Sequence, residues 1–156
     1  MATISFKSVG KTTQQTQVEQ QAAPASVIPI GFKTPLRLGS GSLFEMHEIL
    51  ADQVHDNLRN LLLTNWGERL GLYNFGANLR PLTTEFSSLD NFESDAIVRI
   101  KNAVERWMPY IELEDFVAEF DRKNNKNTAV LNVTVTYNIV QLNVVRRALT
   151  ITLFVI

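Results

Sequence analysis

The chain has no cysteine. Disulfide bonds, thiolate nucleophiles and cysteine-based zinc sites are therefore excluded, and the composition fits a reducing compartment. Long apolar runs are also missing. None approaches the about 20 residues that a helix needs to span a bilayer, and the N-terminus lacks the apolar core of a secretory signal. We therefore expect a soluble intracellular protein, or part of a particle that is built inside a cell.

A large excess of charge of either sign is absent too. Lys and Arg together number 15 and Asp and Glu number 16, which gives a formal net charge of -1. No global electric field favours nucleic acid or an anionic membrane. We therefore predict neither of them as a partner.

Sequence motifs of common enzymes are likewise missing. The chain has no nucleophile elbow, phosphate loop, dinucleotide fingerprint or His-rich metal spacing. Its two histidines, His47 and His55, fall on one predicted helix at a separation of about 12 Å, which is too far to share a metal ion. We predict that both histidines are solvated, that the chain uses no metal or cofactor, and that it is not an enzyme.

The chain does contain enough apolar residues for one core, since 45% of its residues are hydrophobic. Residues 1–26 form a polar N-terminal extension that is rich in Gln and Thr. Such a composition cannot offset its ordering entropy by burying apolar surface, so it favours a disordered tail unless a partner holds it. Residues 27–156 are predicted to form a single domain.

Two helices are predicted in this domain. Ser42 and Glu45 match a capping box that opens a helix over 43–63, where apolar residues recur at helical spacing. A second helix is predicted over 91–107, with Pro109 as its stop.

Residues near the ends of these helices carry further predictions. Asp90 or Asn91 is expected to cap the second helix, since both side chains accept hydrogen bonds from free backbone N–H groups. Trp66 and Trp107 are expected to be core or near-core residues.

Three strands are predicted to complete the chain, at about 115–122, 129–139 and 144–156. In the second strand apolar and polar residues alternate without a break, so one of its faces is buried. The fold class is therefore α+β, with two helices packed on an antiparallel β-meander of three or more strands. Strands of this length span roughly 40 Å, and we expect their ends to extend beyond the helices.

The third strand makes two further predictions possible. One face is expected to carry Val145, Leu149, Ile151, Leu153 and Val155. Arg146 and Arg147 then point to opposite faces, so they do not form a phosphate clamp.

The last nine residues, 148–156, contain no charge, proline or glycine. An uncharged strand at a sheet edge is a template for pairing with another chain, and proteins usually protect such edges with Lys, Pro or a bulge. The strand is therefore either central in its own sheet or covered by a partner. If a partner covers it, Thr150, Thr152 and Phe154 are candidate interface residues.

One segment resembles a known family. The run from Leu61 to Arg69, which includes Gly67 and Glu68, is followed by Phe75-Gly76. This pattern is similar to the helix-to-loop signature of the baseplate wedge and sheath-initiator proteins of contractile phage tails and of type VI secretion systems. The resemblance covers roughly residues 28–156.

The resemblance implies a structural role in the virion tail baseplate, assembled in the host cytoplasm. One copy would be held by the other wedge subunits, and its strands would resemble the interlocking handshake domain of the tail sheath protein. The first sheath subunits would add strands to it and polymerise from there, a form of β-augmentation. Tube or hub proteins are further candidate partners, through the N-terminal extension.

The chain also departs from the family pattern. Tyr73 stands where the family commonly has proline, and Met108-Pro109-Tyr110 stands where the family has Glu-Pro-Arg. A wedge contact at this point would therefore be apolar, through Met108 and Tyr110. The candidate interface residues implied by the resemblance are Gly67, Glu68, Arg69, Phe75, Gly76, Met108, Pro109 and Tyr110.

Several alternatives remain open at the level of sequence. Glu68 and Arg69 could instead form a local ion pair with the helix ends. The acidic run Glu112 to Asp121 is either a solvated strand face or a docking patch for basic partner surfaces. The whole chain could be a cell-wall-degrading hydrolase of the lysozyme type, or a homo-oligomeric binding module that pairs through its last strand.

Overall fold

The computed structural model describes residues 28–39, 43–84, 89–121 and 129–155. The predicted N-terminal extension and the predicted cap Ser42 lie outside these ranges. In chain order the elements are β1 (Gly31–Phe32), β2 (Met46–His47), α1 (Leu50–Leu63), α2 (Arg80–Thr84), α3 (Leu89–Trp107), β3 (Ile111–Asp121), β4 (Ala129–Ile139) and β5 (Val144–Val155). No helix within the described ranges is both long enough and apolar enough to cross a membrane.

The three long strands form an antiparallel sheet in the order β3-β4-β5. Helix α3 packs on β3, and helices α1 and α2 pack on β5, so the helices cover one face of the sheet. The predicted α+β meander is therefore confirmed. The order of strands also shows that β5 lies at an edge, a point on which the sequence left both possibilities open.

Strand β4 runs through the centre of the core. Its alternate residues Leu131, Val133, Val135, Tyr137 and Ile139 are each at most 1% exposed, as the period of two predicts. Because burial continues along this whole series, the expectation that the strands extend uncovered beyond the helices is wrong for the central strand. Leu58, Leu61, Leu62 and Ile100 of α1 and α3 complete the core.

Strand β3 starts earlier than predicted and contains a β-bulge. The strand begins at Ile111, four residues before the predicted start, and its pairing with β4 shifts between Leu113 and Asp115. An extra residue reverses the alternation of faces, so Ile111 and Leu113 pack with Phe116 and Ala118 against the same core. The unbroken period assumed from sequence does not hold across this point.

A second bulge occurs in β5. Arg146 has a positive φ of 53°, and the pairing with β4 shifts between Tyr137 and Ile139. As a result Val145 is 73% exposed, so its predicted place beside Leu149 and Ile151 is wrong. Arg146 and Arg147 do bind different elements. Arg146 pairs with Glu114 of β3 at 3.0 Å, and Arg147 pairs with Asp52 of α1 at 2.7 Å.

Helix α1 begins later than predicted. Its N-cap is Ile49, which makes no side-chain capping bond, so the predicted start at 43 and the capping role of Glu45 are wrong. The preceding residues form β2, which pairs with β1 in a two-stranded ribbon. The Glu45 N–H donates to the carbonyl of Arg37 at 2.9 Å. Backbone pairing with a distant segment thus takes precedence over the local capping pattern.

Helix α3 begins at Leu89, two residues before the predicted start. Asp90 and Asn91 therefore lie inside its first turn, and the prediction that one of them is the N-cap is wrong. The predicted end at Trp107 is confirmed. Met108 N–H still donates to the carbonyl of Val104 at 2.8 Å, and Pro109 prevents a further turn.

Candidate partner-binding surfaces

The loop after α1 is closed by hydrogen bonds within itself. Gly67 has a φ of 84°, and its N–H donates to the carbonyl of Tyr73 at 2.9 Å. The Glu68 carboxylate accepts the backbone N–H of Asn65 at 2.7 Å and its side-chain amide at 3.0 Å. These hydrogen bonds from Asn65 lower the pKa of Glu68. Glu68 thus caps the turn that follows the helix.

Arg69 turns back over the aromatic residues that follow it. Its guanidinium lies 4.4 Å from the ring centroid of Phe75, which in turn meets Trp107 edge-on at 5.3 Å. The cation–π and aromatic contacts hold the loop against the end of α3. Trp107 packs against the core as predicted, whereas Trp66 is 61% exposed and its predicted core position is wrong.

Gly76 lies where the loop returns to α1. Its φ is 112°, and a Cβ atom built on it would collide with the carbonyl oxygen of Thr64. The next residue, Ala77, donates its N–H to the carbonyl of Leu61 at 3.0 Å. The loop therefore satisfies a free carbonyl at the C-terminal end of the helix, and only glycine permits the close approach.

A groove of about 650 Å³ lies between this loop, α1 and the end of α3. The predicted interface residues that line it are Glu68, Arg69, Phe75, Met108 and Tyr110, and the remaining walls come from Asn57, Asn60, Thr64 and Trp107. Segments that are about 40 residues apart in sequence thus meet at one surface.

Met108 and Tyr110 of this groove differ in exposure. Met108 is 5% exposed and forms the floor. Tyr110 is partly buried, and burial raises the pKa of its hydroxyl. Gly67, Gly76 and Pro109 shape the backbone around the groove and do not line it.

The other three predicted residues lie apart from the groove, on the sheet face opposite the helices. The hydroxyls of Thr150 and Thr134 are 3.0 Å apart, and the Thr152 hydroxyl donates to the Asn132 amide oxygen at 3.1 Å. Phe154 is 60% exposed. The predicted residues therefore form two separate surfaces, the groove and the β5 edge.

The two edges of the sheet differ in how they are protected. The β3 edge has a bulge at Glu114 and exposed carboxylates at Glu112, Asp115, Glu119 and Asp121. The β5 edge carries its bulge only near Arg146, and from Ala148 onward it has neither charge nor proline. In the described part of the chain, nothing pairs with the outer side of β5. Of the two described edges, β5 is thus the open one in the sense that it lacks the charges that protect β3.

Both histidines are in polar contacts that the sequence did not reveal. His47 is 9% exposed, and its Nε2 lies 2.7 Å from an Asp56 carboxylate oxygen. His55 Nδ1 lies 2.8 Å from the Tyr137 hydroxyl. The prediction that they are solvated is wrong, as is the helical position of His47. Over the described ranges, acidic and histidine side chains form no group that could hold a metal ion.

The segment before α1 holds the apolar residues that sequence reasoning missed. Ile28, Leu36, Leu38 and Leu43 are between 62% and 81% exposed. In the sequence, the concentration of apolar residues between proline and glycine residues could have indicated this exposed segment. Exposed apolar residues in such number are typical of a surface that meets another protein.

Comparisons with known proteins agree with this architecture. Residues 48–144, more than half of the chain, match the sequence model of a family described as baseplate wedge protein gp25. Among curated proteins, none matches the chain significantly.

Two solved structures are similar in fold. A chain of the anti-feeding prophage baseplate, determined by cryo-EM, is 20% identical with a TM-score of 0.57, over 69% of this chain and 82% of that chain. A crystal structure of a Geobacter sulfurreducens protein, provisionally named a tail lysozyme, is 21% identical with a TM-score of 0.58, over 72% of this chain and 96% of that chain. At these identities the likeness is one of fold.

Proposed function

Because the chain belongs to the family of the baseplate wedge protein gp25, we propose that it nucleates the tail sheath by offering the open edge of β5 to a strand of the first sheath subunits. A structural role in a baseplate follows from the family, and other baseplate proteins are its partners. We further propose that the chain contacts other wedge subunits and that it is assembled in the host cytoplasm.

The open β5 edge carries this proposal. An edge strand presents a row of unpaired N–H and C=O groups, and each neighbouring strand that binds there satisfies them. Proteins normally prevent such pairing, and β3 of this sheet shows that protection. The residues from Ala148 to Val155 lack it, which favours a strand of another subunit as the intended cover.

The groove is the proposed contact with the other wedge subunits. It lies beside α1 and the end of α3, and none of its lining residues belongs to β5. Its rim is polar, and Met108 and Tyr110 give it an apolar floor where the family commonly carries charge. We propose an apolar side chain of a wedge subunit as its occupant, with Arg69 at the rim favouring an acidic neighbour.

The N-terminal extension, residues 1–26, is proposed to bind tube or hub proteins. The exposed apolar segment that follows it, from Ile28 to Leu43, lies next to the extension in sequence and supports a contact on that side.

The hydrolase alternative finds no support in Glu68, the carboxylate that lines the groove. A glycosidase acid needs a raised pKa so that it is protonated when it meets the substrate. The pKa of Glu68 is instead lowered, because Asn65 donates two hydrogen bonds to its charged form. We therefore propose a structural protein without catalytic activity.

Charge placed on the open edge tests the proposal. We expect Thr150→Lys with Thr152→Lys to abolish sheath nucleation, because lysine at an edge disfavours strand pairing. Thr134→Lys with Thr136→Lys places the same charges on the same sheet face one strand inward, and it should nucleate normally. Nucleation is measured by mixing baseplates with purified sheath protein and counting sheathed particles by electron microscopy.

The same pair of variants separates the remaining alternatives. If both pairs nucleate sheath normally, strand addition at β5 is wrong. A discrete dimer of the wild-type chain in light scattering, lost only in the edge variant, would instead establish the homo-oligomeric module.

A further inference from the structure

A small cavity lies beside the last residues of β5. Its volume is about 270 Å³, and its walls come from the end of α1, from α2 and from the β5 edge at Thr152 and Phe154, two residues whose side chains lie on the other face of the sheet. Leu62 and Leu79, each 1% exposed, form its floor together with Leu153. It is thus an apolar cavity at the open side of the sheet.

The size of the cavity limits what it can hold. Sites for small molecules usually measure about 300–1,000 Å³, and this cavity lies below that range. Its floor is apolar, and the polar side chains of Asn65, Thr83 and Thr152 that also line it already form hydrogen bonds within the chain. A single large apolar side chain fits within this volume, since a cavity of about 150 Å³ already holds a benzene ring, and it matches the chemistry of the floor.

The position of the cavity determines how such a side chain arrives. In a strand added to β5, every second side chain points to the helix side of the sheet. Helices α1 and α2 pack over β5 on that side. A helix-facing side chain of the added strand therefore meets α1 and α2 where the cavity opens.

We propose that this cavity selects the strand that adds to β5, by taking one large apolar side chain from it. The selected strand carries Leu, Ile, Met or Phe at the helix-facing position opposite the end of β5. Arg80 lines the cavity and is exposed, so a carboxylate next to that residue is favoured over a lysine. The inference rests on the proposed strand addition and explains which strand is selected.

Leu63 is a suitable position for a test substitution, because it lines the cavity and is 42% exposed. We expect Leu63→Glu in the full-length chain to weaken binding of the purified sheath protein by roughly 10-fold or more, the equivalent of losing one buried apolar side chain. Leu50→Glu is the matched control, since Leu50 lies at the other end of the same helix and is 46% exposed. That variant should bind normally.

Photo-crosslinking provides a second measurement, which does not require the protein to accommodate the charge of the Leu63→Glu variant. A benzophenone amino acid in place of Leu63 should crosslink to one strand of the sheath protein, and mass spectrometry should find an apolar residue at the crosslinked position. The same group in place of Leu50 should not reach that strand. Absence of a crosslink at Leu63, in a chain that still binds sheath, would overturn the inference.

The edge variant Thr150→Lys with Thr152→Lys separates the two proposals. If it loses sheath binding while Leu63→Glu binds normally, strand addition stands and selection by the cavity is wrong. If it binds sheath normally, strand addition itself fails, and the selected strand fails with it.

Discussion

At the scale of single residues, the loop after α1 shows how a motif follows from backbone geometry. Gly67 and Gly76 both need positive φ, Glu68 caps the turn, and Arg69 holds Phe75. Each of these roles is met within the chain, so the motif shapes the groove before any partner binds. Its residues were predicted from the sequence, whereas their separate structural roles were not.

Gly76 and Gly71 form a matched pair for measuring this constraint. Gly71→Ala should cost about 1 kcal/mol in unfolding free energy, because its φ of 79° is unfavourable for alanine but the space around it is open. Gly76→Ala should cost more, because its Cβ also collides with the Thr64 carbonyl oxygen. Urea unfolding of the two variants checks the order, which equal losses would contradict.

His55 should make stability depend on pH. Burial lowers the pKa of His55, and the positive charge of Arg147 lowers it further. The unfolded chain therefore binds a proton that the folded chain resists, so stability falls as the pH drops below about 6.5. In the His55→Asn variant, the decrease in unfolding free energy that His55 causes between pH 7.5 and 5.5 should disappear, as measured by urea unfolding. An unchanged pH dependence would contradict it.

At the scale of elements, the ribbon of β1 and β2 is bonded to α1 through the carboxylate of Asp56. Asp56 accepts the backbone N–H of Thr34 at 2.8 Å and lies 2.7 Å from His47. Burial alone would raise the pKa of Asp56, but the hydrogen bonds from Thr34 and His47 lower it. The charged carboxylate therefore stabilises the packing of the ribbon on the helix.

Loss of that carboxylate should release the ribbon selectively. Asp56→Ala should speed hydrogen exchange at Ile30 and Lys33, whose N–H groups bond within the ribbon, while the amides of β4 stay protected. Because the pKa of Asp56 is lowered on folding, its contribution is present above about pH 4 and is lost as the pH falls further. Uniformly faster exchange in both elements would contradict a local role.

At the scale of the whole molecule, β5 contributes side chains to the core and also forms one edge of the sheet. Leu149 and Ile151 are 3% and 2% exposed on its inner side, while no strand among the described residues pairs with its outer edge. The strand therefore cannot be removed to test binding without loss of the fold.

Deletion of residues 148–156 should unfold the protein. Large-to-small changes at buried Leu or Ile cost about 2–5 kcal/mol each, and two such losses approach the whole stability of a domain, roughly 5–15 kcal/mol. Circular dichroism should show no cooperative melting. A truncated chain that melts cooperatively would show that the remaining two strands and the helices form a sufficient core.

Local patterns alone were enough to predict much of this protein. The alternation of β4 and the stop at Pro109 depend on residues close in sequence, and both were predicted correctly. The loop from Gly67 to Gly76 was singled out by its resemblance to a family signature. The α+β class followed from the number and order of such elements.

Tertiary structure decided the features that depend on distant residues. The start of α1 moved because Met46 pairs with Phe32, and the bulge residues Glu114 and Arg146 changed which side chains face the core. His47 became buried because Asp56 lies across from it. Whether β5 is central or at an edge was likewise settled only by the order of the strands. Strands pair through backbone groups that every residue carries, so the side-chain pattern of one strand does not reveal which strands lie beside it.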